Sequence, residues 1–524
     1  MGNPTRDIVR QGRVNHRSSG FLHESTICSS SFLHETGISS SGFLHETTVC
    51  SSEFLHWHIW GTYNQVRTAE PDMSIGGGMK RDITNKLEEW RVSKHRKPLV
   101  LCGARQVGKT YVLKELGRAG YDSCAYINLM DESARSVFTA YDARQVLENI
   151  AVLTGVKIVP GRTLVIIDEI QEVPEALTLM KAFAEDTPEQ HIAAAGSYLG
   201  LAYHAGKSFP VGKIDSMDMY PMTFLEFLQA CGQDALADIV RSLDFGRATV
   251  FADRLERLLR RYYFVGGMPQ VVEEFLDGGN DYAAARLRQQ ALLSDYDNDF
   301  SKHKIDVPEI DVERVRLAFR SIPSQLGREN HKFMFGHITQ GARRAQYETA
   351  IQFIVDSGLA HRVYRVSKTQ LPLRDYEDLS AFKLYMHDVG LLGAAMDVSA
   401  RDVLLANTAF EEYKGAMTEQ YVCQQLAATG RNPYYWTSGK GTAEVDFVVQ
   451  YDSRPAPLEV KAEENVHAKS LRMLCNDTGL HGYRTSMRGY REQDWLTNVP
   501  LWAVGAYFDP VNDPANIIPD VGLD

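Results

Sequence analysis

The sequence predicts an α/β fold built on a parallel sheet with a phosphate-gripping loop, and three observations predict it. The apolar run 98–102 leads straight into Gly103-Ala104-Arg105-Gln106-Val107-Gly108-Lys109-Thr110 and then into the amphipathic run 111–116, which is the order strand, loop, helix. A second buried-strand pattern, Thr163-Leu-Val-Ile-Ile, ends in Asp168-Glu169. A third, 192–195, ends in Gly196-Ser197.

Each element has a chemical reason. A helix-forming stretch around 83–92 precedes the first strand. The loop satisfies GxxxxGK[ST] in full: its glycines let backbone N–H groups curl around phosphate oxygens, Lys109 answers the β/γ charge, and the Thr110 hydroxyl can ligate magnesium. The helix that follows adds the partial positive charge of its N-terminus. At the end of the second strand, Asp168 is assigned to the metal and Glu169 to polarising the attacking water, ahead of a helix at 175–185. Ser197, on a strand expected between those two, is placed to sense a γ-phosphate. ATP and Mg2+ are the cofactors these residues imply.

Bulk composition bounds the rest. A chain of 524 residues exceeds one hydrophobic core, and 44% apolar residues can fill two or three domains. The net charge of -11 and pI near 5.8 exclude a general attraction for nucleic acid or anionic membrane, so any DNA contact needs a local basic patch. Cysteines at 28, 50, 102, 124, 231, 423 and 475, with no CxxC pair, argue against a disulfide framework or a zinc site. No run approaches the roughly 20 apolar residues that span a bilayer, and the first thirty residues lack a secretory apolar core. A soluble cytoplasmic protein with no membrane partner is expected.

The first 79 residues differ from the rest: Lys80 is the first lysine, six of the sixteen histidines lie there, and Phe-Leu-His recurs every eleven residues at Phe21, Phe32, Phe43 and Phe54. Serine and threonine fill the spaces between, so no apolar seam sustains a coiled coil. His23, His34, His45 and His56 lack partnering cysteine or carboxylate geometry for a metal. Disorder is expected over 1–78, and Gly76-Gly77-Gly78-Met79 reads as a leader followed by a second start.

Beyond the loop, Gly103–Thr110 combines with Ile167-Asp-Glu-Ile-Gln171, Ser208-Phe-Pro-Val-Gly-Lys-Ile214, Tyr220-Pro-Met-Thr-Phe-Leu-Glu-Phe227, Gly266-Gly-Met-Pro269 and Phe382-Lys-Leu-Tyr-Met-His-Asp-Val-Gly-Leu-Leu392. Together, from about Lys80 to Leu474, these motifs resemble bacterial and archaeal AAA-type P-loop ATPases that carry a C-terminal domain of unknown function similar to restriction endonucleases. The resemblance implies a helical lid, opened by 254–263 and the Gly266-Gly267 turn. That family usually shows arginine where this chain has Lys213, whose ammonium lacks the planar fork an arginine lays on phosphate. The expected layout is a leader at 1–78, an ATPase core at 79–235, a lid at 236–300, a winged-helix-like segment at 301–370, a PD-(D/E)XK-like α/β domain at 371–505 and a tail at 506–524.

Two helices, 312–321 and 342–357, followed by the strand-like 359–366 suit a winged helix-turn-helix. Residues 302–346 hold nine Lys or Arg against five acids, a net +4, and Arg343 and Arg344 are the candidate DNA contacts. Farther on, Glu444-Val-Asp446-Phe-Val-Val and Pro457-Leu-Glu459-Val-Lys461 are strands whose polar residues alternate onto one face. With Glu419 from a helix at 415–426, Asp446, Glu459 and Lys461 complete a set resembling the PD-(D/E)XK nuclease site, where carboxylates seat magnesium and the lysine steadies the attacking water. The expected protein is an ATPase coupling nucleotide state to a nuclease-like domain. An ATP-controlled binding switch with an inert C-terminal cluster and an active ATP-dependent nuclease stay open, as does the oligomeric state.

Overall fold

The structure, a computed structural model, describes residues 79–139, 142–197, 212–302, 311–328, 332–405, 411–439, 443–462 and 468–516. The repeat-bearing leader with its four histidines, and positions 208–211 of the Ser208–Ile214 motif, lie outside the described residues.

Five parallel strands form the first sheet: β1 (Leu99–Cys102), β2 (Ser123–Asn128), β3 (Thr163–Asp168), β4 (His191–Gly196) and β5 (Asp215–Asp218), in the order β2-β3-β4-β1-β5. All six positions of β3 and of β4 are buried, as a parallel sheet covered on both faces requires. Alternate side chains divide between two cores. Leu99, Leu101, Leu164, Ile166, Ala193 and Ala195 pack with α1 (Ile83–Val92) and α2 (Lys109–Gly120). Val100, Val165, Ile167, Ile192 and Ala194 pack with α3 (Ala143–Thr154) and α4 (Pro174–Asp186). In α3, Asp142 caps the start by accepting from the Arg144 and Gln145 N–H groups, and the helix stops at Gly155, φ 68°.

Helices follow: α5 (Phe224–Ala230), opened by a Thr223/Glu226 capping box, α6 (Asp234–Arg241), α7 (Ala252–Val265), α8 (Pro269–Asp277), α9 (Tyr282–Lys302), α10 (Val312–Leu326) and α11 (Arg344–Asp356). Lys213 pairs with Glu185 at 3.1 Å.

The second sheet has eight strands in the order β12-β13-β11-β10-β9-β8-β6-β7. They are β6 (Ala360–Val366), β7 (Glu377–Met386), β8 (Tyr434–Thr437), β9 (Glu444–Tyr451), β10 (Arg454–Val460), β11 (Gly482–Ser486), β12 (Arg491–Glu492) and β13 (Leu496–Pro500). Helices α12 (Val389–Ala395), α13 (Glu411–Ala428) and α14 (Lys469–Thr478) belong to the same region. β6 pairs antiparallel with β7 and parallel with β8, so both of its edges are bonded inside this sheet, and position 370 falls between the two strands of a hairpin. One apolar cluster runs from Leu87 to Phe508, joining the flank of the first sheet to the interior of the second.

Candidate functional site

Register builds the first site. Cys102 of β1 pairs with Gly196 of β4, and Ala194 of β4 pairs with Ile167 of β3, so the residues leaving these strands emerge side by side. The loop after β1 needs its glycines: Gly103 has φ 147° and a Cβ there would lie 2.2 Å from the Met219 carbonyl oxygen, while Gly108 has φ 99°. Gln106 also adopts a positive φ, 67°.

Lys109 is buried, and its Nζ donates to Gly103 O (2.9 Å), Ala104 O (2.7 Å) and Ser197 Oγ (3.1 Å). Burial brings its pKa down to about 8 against the pull of Glu169 and Asp168, which raises it. Thr110 Oγ1 donates to Asp168 Oδ2 at 2.8 Å, and Tyr126 OH of β2 donates to the same oxygen at 2.9 Å. Asp168 Oδ1 accepts from the Glu169 N–H at 3.1 Å. Glu169 leaves β3 in the left-handed region, φ 53° and ψ 46°, and its Oε2 accepts from Gln171 Nε2 at 2.5 Å.

Of these groups, Gln106, Lys109, Thr110, Glu169 and Ser197 line a cavity of about 440 Å³, together with Pro269 and Gln270 at the start of α8. A larger hollow, about 640 Å³, is lined by Cys102, Asp218, Tyr220, His361 and Arg431 and contains none of Lys109, Asp168 and Glu169. Chemistry, not volume, selects the smaller one. A phosphate chain fits it: Gly108, Lys109 and Thr110 line it at the N-terminus of α2, and the Thr110 hydroxyl, with the Asp168 carboxylate bonded to it, offers the oxygen donors hydrated magnesium takes.

The loop is braced from behind. Arg81 is buried against Glu226 (3.1 Å) and donates to Val107 O (2.7 Å) and Tyr220 O (2.6 Å). Arg105 pairs with Asp299 and Gln106 Nε2 donates to Asp295 Oδ2 at 3.2 Å, both acids on α9. The two remaining signature motifs interlock. Asp388 caps α12 by accepting from the Leu391 N–H (3.0 Å), and also accepts from the Gly267 N–H (2.6 Å) and Gln424 Nε2 of α13 (3.2 Å). Burial raises its pKa to about 6 despite those donors.

The C-terminal residues also gather, with members the sequence reading missed. Lys461 Nζ pairs with Glu459 at 2.6 Å, and the Val460 N–H donates to Asp446 Oδ2 at 2.7 Å. Lys383 of β7, with no exposed side-chain surface, sets its ammonium 2.6 Å from Glu444 and 3.4 Å from Glu419. Tyr385 OH donates to Glu419 at 3.0 Å. Burial opposes the Lys383 charge, but Glu419 and Glu444 outweigh it and hold the ammonium above the usual lysine range. Burial raises Asp446 and Glu459 above the usual carboxylate range, and Glu419 raises both further.

Glu419 therefore faces an ammonium and a phenol. Glu459 Oε2 is buried with no hydrogen-bond partner. No group of three or more His, Cys, Asp or Glu with metal-binding geometry occurs among the described residues.

In the basic patch, Arg314 pairs with Asp311 (3.1 Å), Arg316 and Arg320 with Asp297 (3.3 and 3.1 Å), and Arg344 with Glu348 (2.8 Å), so much of the charge counted along the sequence is neutralised locally. Arg343 is exposed at the start of α11. No helix among the described residues is long and apolar enough to cross a membrane.

Comparison with known proteins agrees with the first site. The family described as AAA domain matches residues 95–228, which supports an ATP-binding ATPase of AAA type. Two domains of unknown function, DUF8612 and DUF4143, match residues 256–402 and 414–504. Among solved structures, the chain is similar to the Walker-type ATPase paby2304 of Pyrococcus abyssi, with 15% identity and TM-score 0.39 over 63% of this chain and 99% of that one. It is also similar to Cdc6p from Pyrobaculum aerophilum, with 11% identity and TM-score 0.22 over 63% of this chain and 97% of that one. A third similarity is to Drosophila ORC bound to DNA, with 13% identity and TM-score 0.21 over 70% and 96%. No curated protein matches the sequence.

Proposed function

We propose that this protein binds magnesium-ATP in the cavity above residues 103–110, hydrolyses it, and passes the nucleotide state to the eight-stranded C-terminal region. The observation that carries the reading is the convergence of Lys109, Thr110, Asp168, Glu169 and Ser197 at one loop between adjacent parallel strands. Lys109 leaves its loop carbonyls to meet the β/γ oxygens, Thr110 and Asp168 hold the magnesium side, Glu169 polarises the attacking water, and Ser197 reads the γ-phosphate. Magnesium supplies charge neutralisation along the phosphate chain.

Transmission is supported by the Asp388 junction. Pro269 and Gln270 line the nucleotide cavity, Gly267 just before them is bonded to Asp388, and Asp388 is bonded to α13, which also carries Glu419. Closure of α8 over ATP would act on the C-terminal region through that carboxylate.

Glu169→Gln tests the catalytic assignment: it keeps ATP binding and stops hydrolysis, because only the water-polarising carboxylate is lost. Turnover equal to the parent's would refute it. For the C-terminal cluster, the internal cation Lys383 favours an inert, charge-balanced centre in a nucleotide-controlled DNA- or protein-binding switch. The partnerless Glu459 Oε2 favours the second reading, a magnesium-dependent nuclease using Asp446, Glu459 and Lys461. Magnesium-dependent cleavage of DNA that Asp446→Ala abolishes selects the second, and its absence under every nucleotide condition selects the first. Arg343 and Arg344 are the positions at which loss of charge tests a DNA contact.

A further inference from the structure

We infer that Gln171 is the positioning residue that aims Glu169, tying the base to the strand end that meets the γ-phosphate; this inference rests on the ATPase reading above. Its amide is used at both ends. Nε2 donates to Glu169 Oε2 at 2.5 Å, and Oε1 accepts from the Ser197 N–H at 3.2 Å. A carboxylate can only accept and a backbone N–H can only donate, so these partners fix which end of the amide points where.

Glu169 needs such a guide. Its backbone sits at φ 53° and ψ 46°, a left-handed conformation that any residue with a Cβ disfavours. Strain of this kind persists where surrounding structure enforces it. It also turns Glu169 out of the alternation of β3, so strand geometry no longer sets the direction of its side chain. The bond from Gln171 supplies that direction and occupies one carboxylate oxygen, leaving the other to take a proton from water.

The far end of Gln171 reaches the residue that touches Lys109. Ser197 accepts from Lys109 through Oγ and donates to Gln171 through its backbone N–H. Glu169, Gln171, Ser197 and Lys109 thus form one chain of hydrogen bonds around the space a γ-phosphate would enter. Gln171 does not line the cavity, as suits a residue acting through another. A phosphate engaging Lys109 and Ser197 holds the same frame that aims the base.

The experiment measures steady-state ATP turnover and equilibrium binding of a fluorescent ATP analogue for Gln171→Ala, Gln171→Glu and the controls Glu169→Gln and Lys109→Ala. A misaimed base loses on the order of 10- to 100-fold in rate, so both Gln171 variants lose that much kcat while the analogue Kd stays within about twofold of the parent. Gln171→Glu is the decisive variant: it has the same shape and can still accept from the Ser197 N–H, but as a carboxylate it cannot donate to Glu169. It also keeps the inference testable where the alanine variant fails to fold. Parent-like or higher kcat in Gln171→Glu, or loss of analogue binding in it as complete as in Lys109→Ala, overturns the inference. Parent-like turnover in Glu169→Gln would instead sink the catalytic reading itself, so the two failures are distinguishable.

Discussion

Replacing Lys383 with methionine removes the internal cation of the C-terminal cluster and leaves its carboxylates facing one another. The ammonium lies 2.6 Å from Glu444 and 3.4 Å from Glu419, and the lysine side chain has 0% exposure. With an effective dielectric of about 20, those two attractions together reach roughly 11 kcal/mol. Desolvating the ammonium and its partners cancels much of that, and removing one member of such a group typically costs about 3–5 kcal/mol through the charges left behind. At about 2.1 cal/mol/K of unfolding entropy per residue, and a cooperative unit on the order of 400 residues, the loss is a fall of about 4–6 °C in the thermal midpoint. The double variant Lys383→Met/Glu419→Gln recovers at least half of the fall. Glu419 is nearly fully buried and becomes neutral, Tyr385 can donate to the new amide oxygen, and the 30%-exposed Glu444 side chain can hydrate. Differential scanning calorimetry of the three proteins at neutral pH reads all of this. A single variant within 1 °C of the parent, or a double variant less stable than the single one, would refute the reasoning.

Further expectations follow from the nucleotide cavity and the Asp388 junction. Because Lys109 has its pKa lowered to about 8, it loses its proton as pH rises above that value, and ATP, which favours the ammonium, then binds more weakly. Analogue affinity therefore falls roughly tenfold between pH 7 and pH 9, and a flat profile would contradict it. Gly266→Ala places a Cβ 2.2 Å from Asp388 Oδ1 at a residue with φ 77°, so the protein loses about 2–4 kcal/mol of stability. Denaturant unfolding checks this, and an unchanged midpoint would show that the junction yields freely.

The parts read well from sequence were local in the chain. The loop 103–110, the acids closing β3 and Ser197 at the end of β4 each announced themselves within a few residues, because strand pattern and polar terminus are adjacent. The parts that escaped depend on contacts between distant segments. Tyr126 reaches Asp168 only because β2 and β3 are neighbours, and Asp388 meets Gly267 across 121 positions of sequence. Lys383 did leave a trace: a lysine inside the otherwise apolar Ala381-Phe-Lys-Leu-Tyr-Met386 has to find buried partners. Its partners could not be named, since Glu419 and Glu444 come from a helix and a strand far along the chain. The strand at 360–366 was anticipated, but its place was not, because strand propensity says nothing about which sheet receives it.

The central claim is most directly tested by calorimetric titration of magnesium-ATP into the folded protein and into Lys109→Ala. Binding at one site per chain by the parent, abolished in the variant while its thermal unfolding stays cooperative, is the result predicted. Absence of binding heat in a well-folded parent across temperatures, or equal binding by the variant, would contradict it.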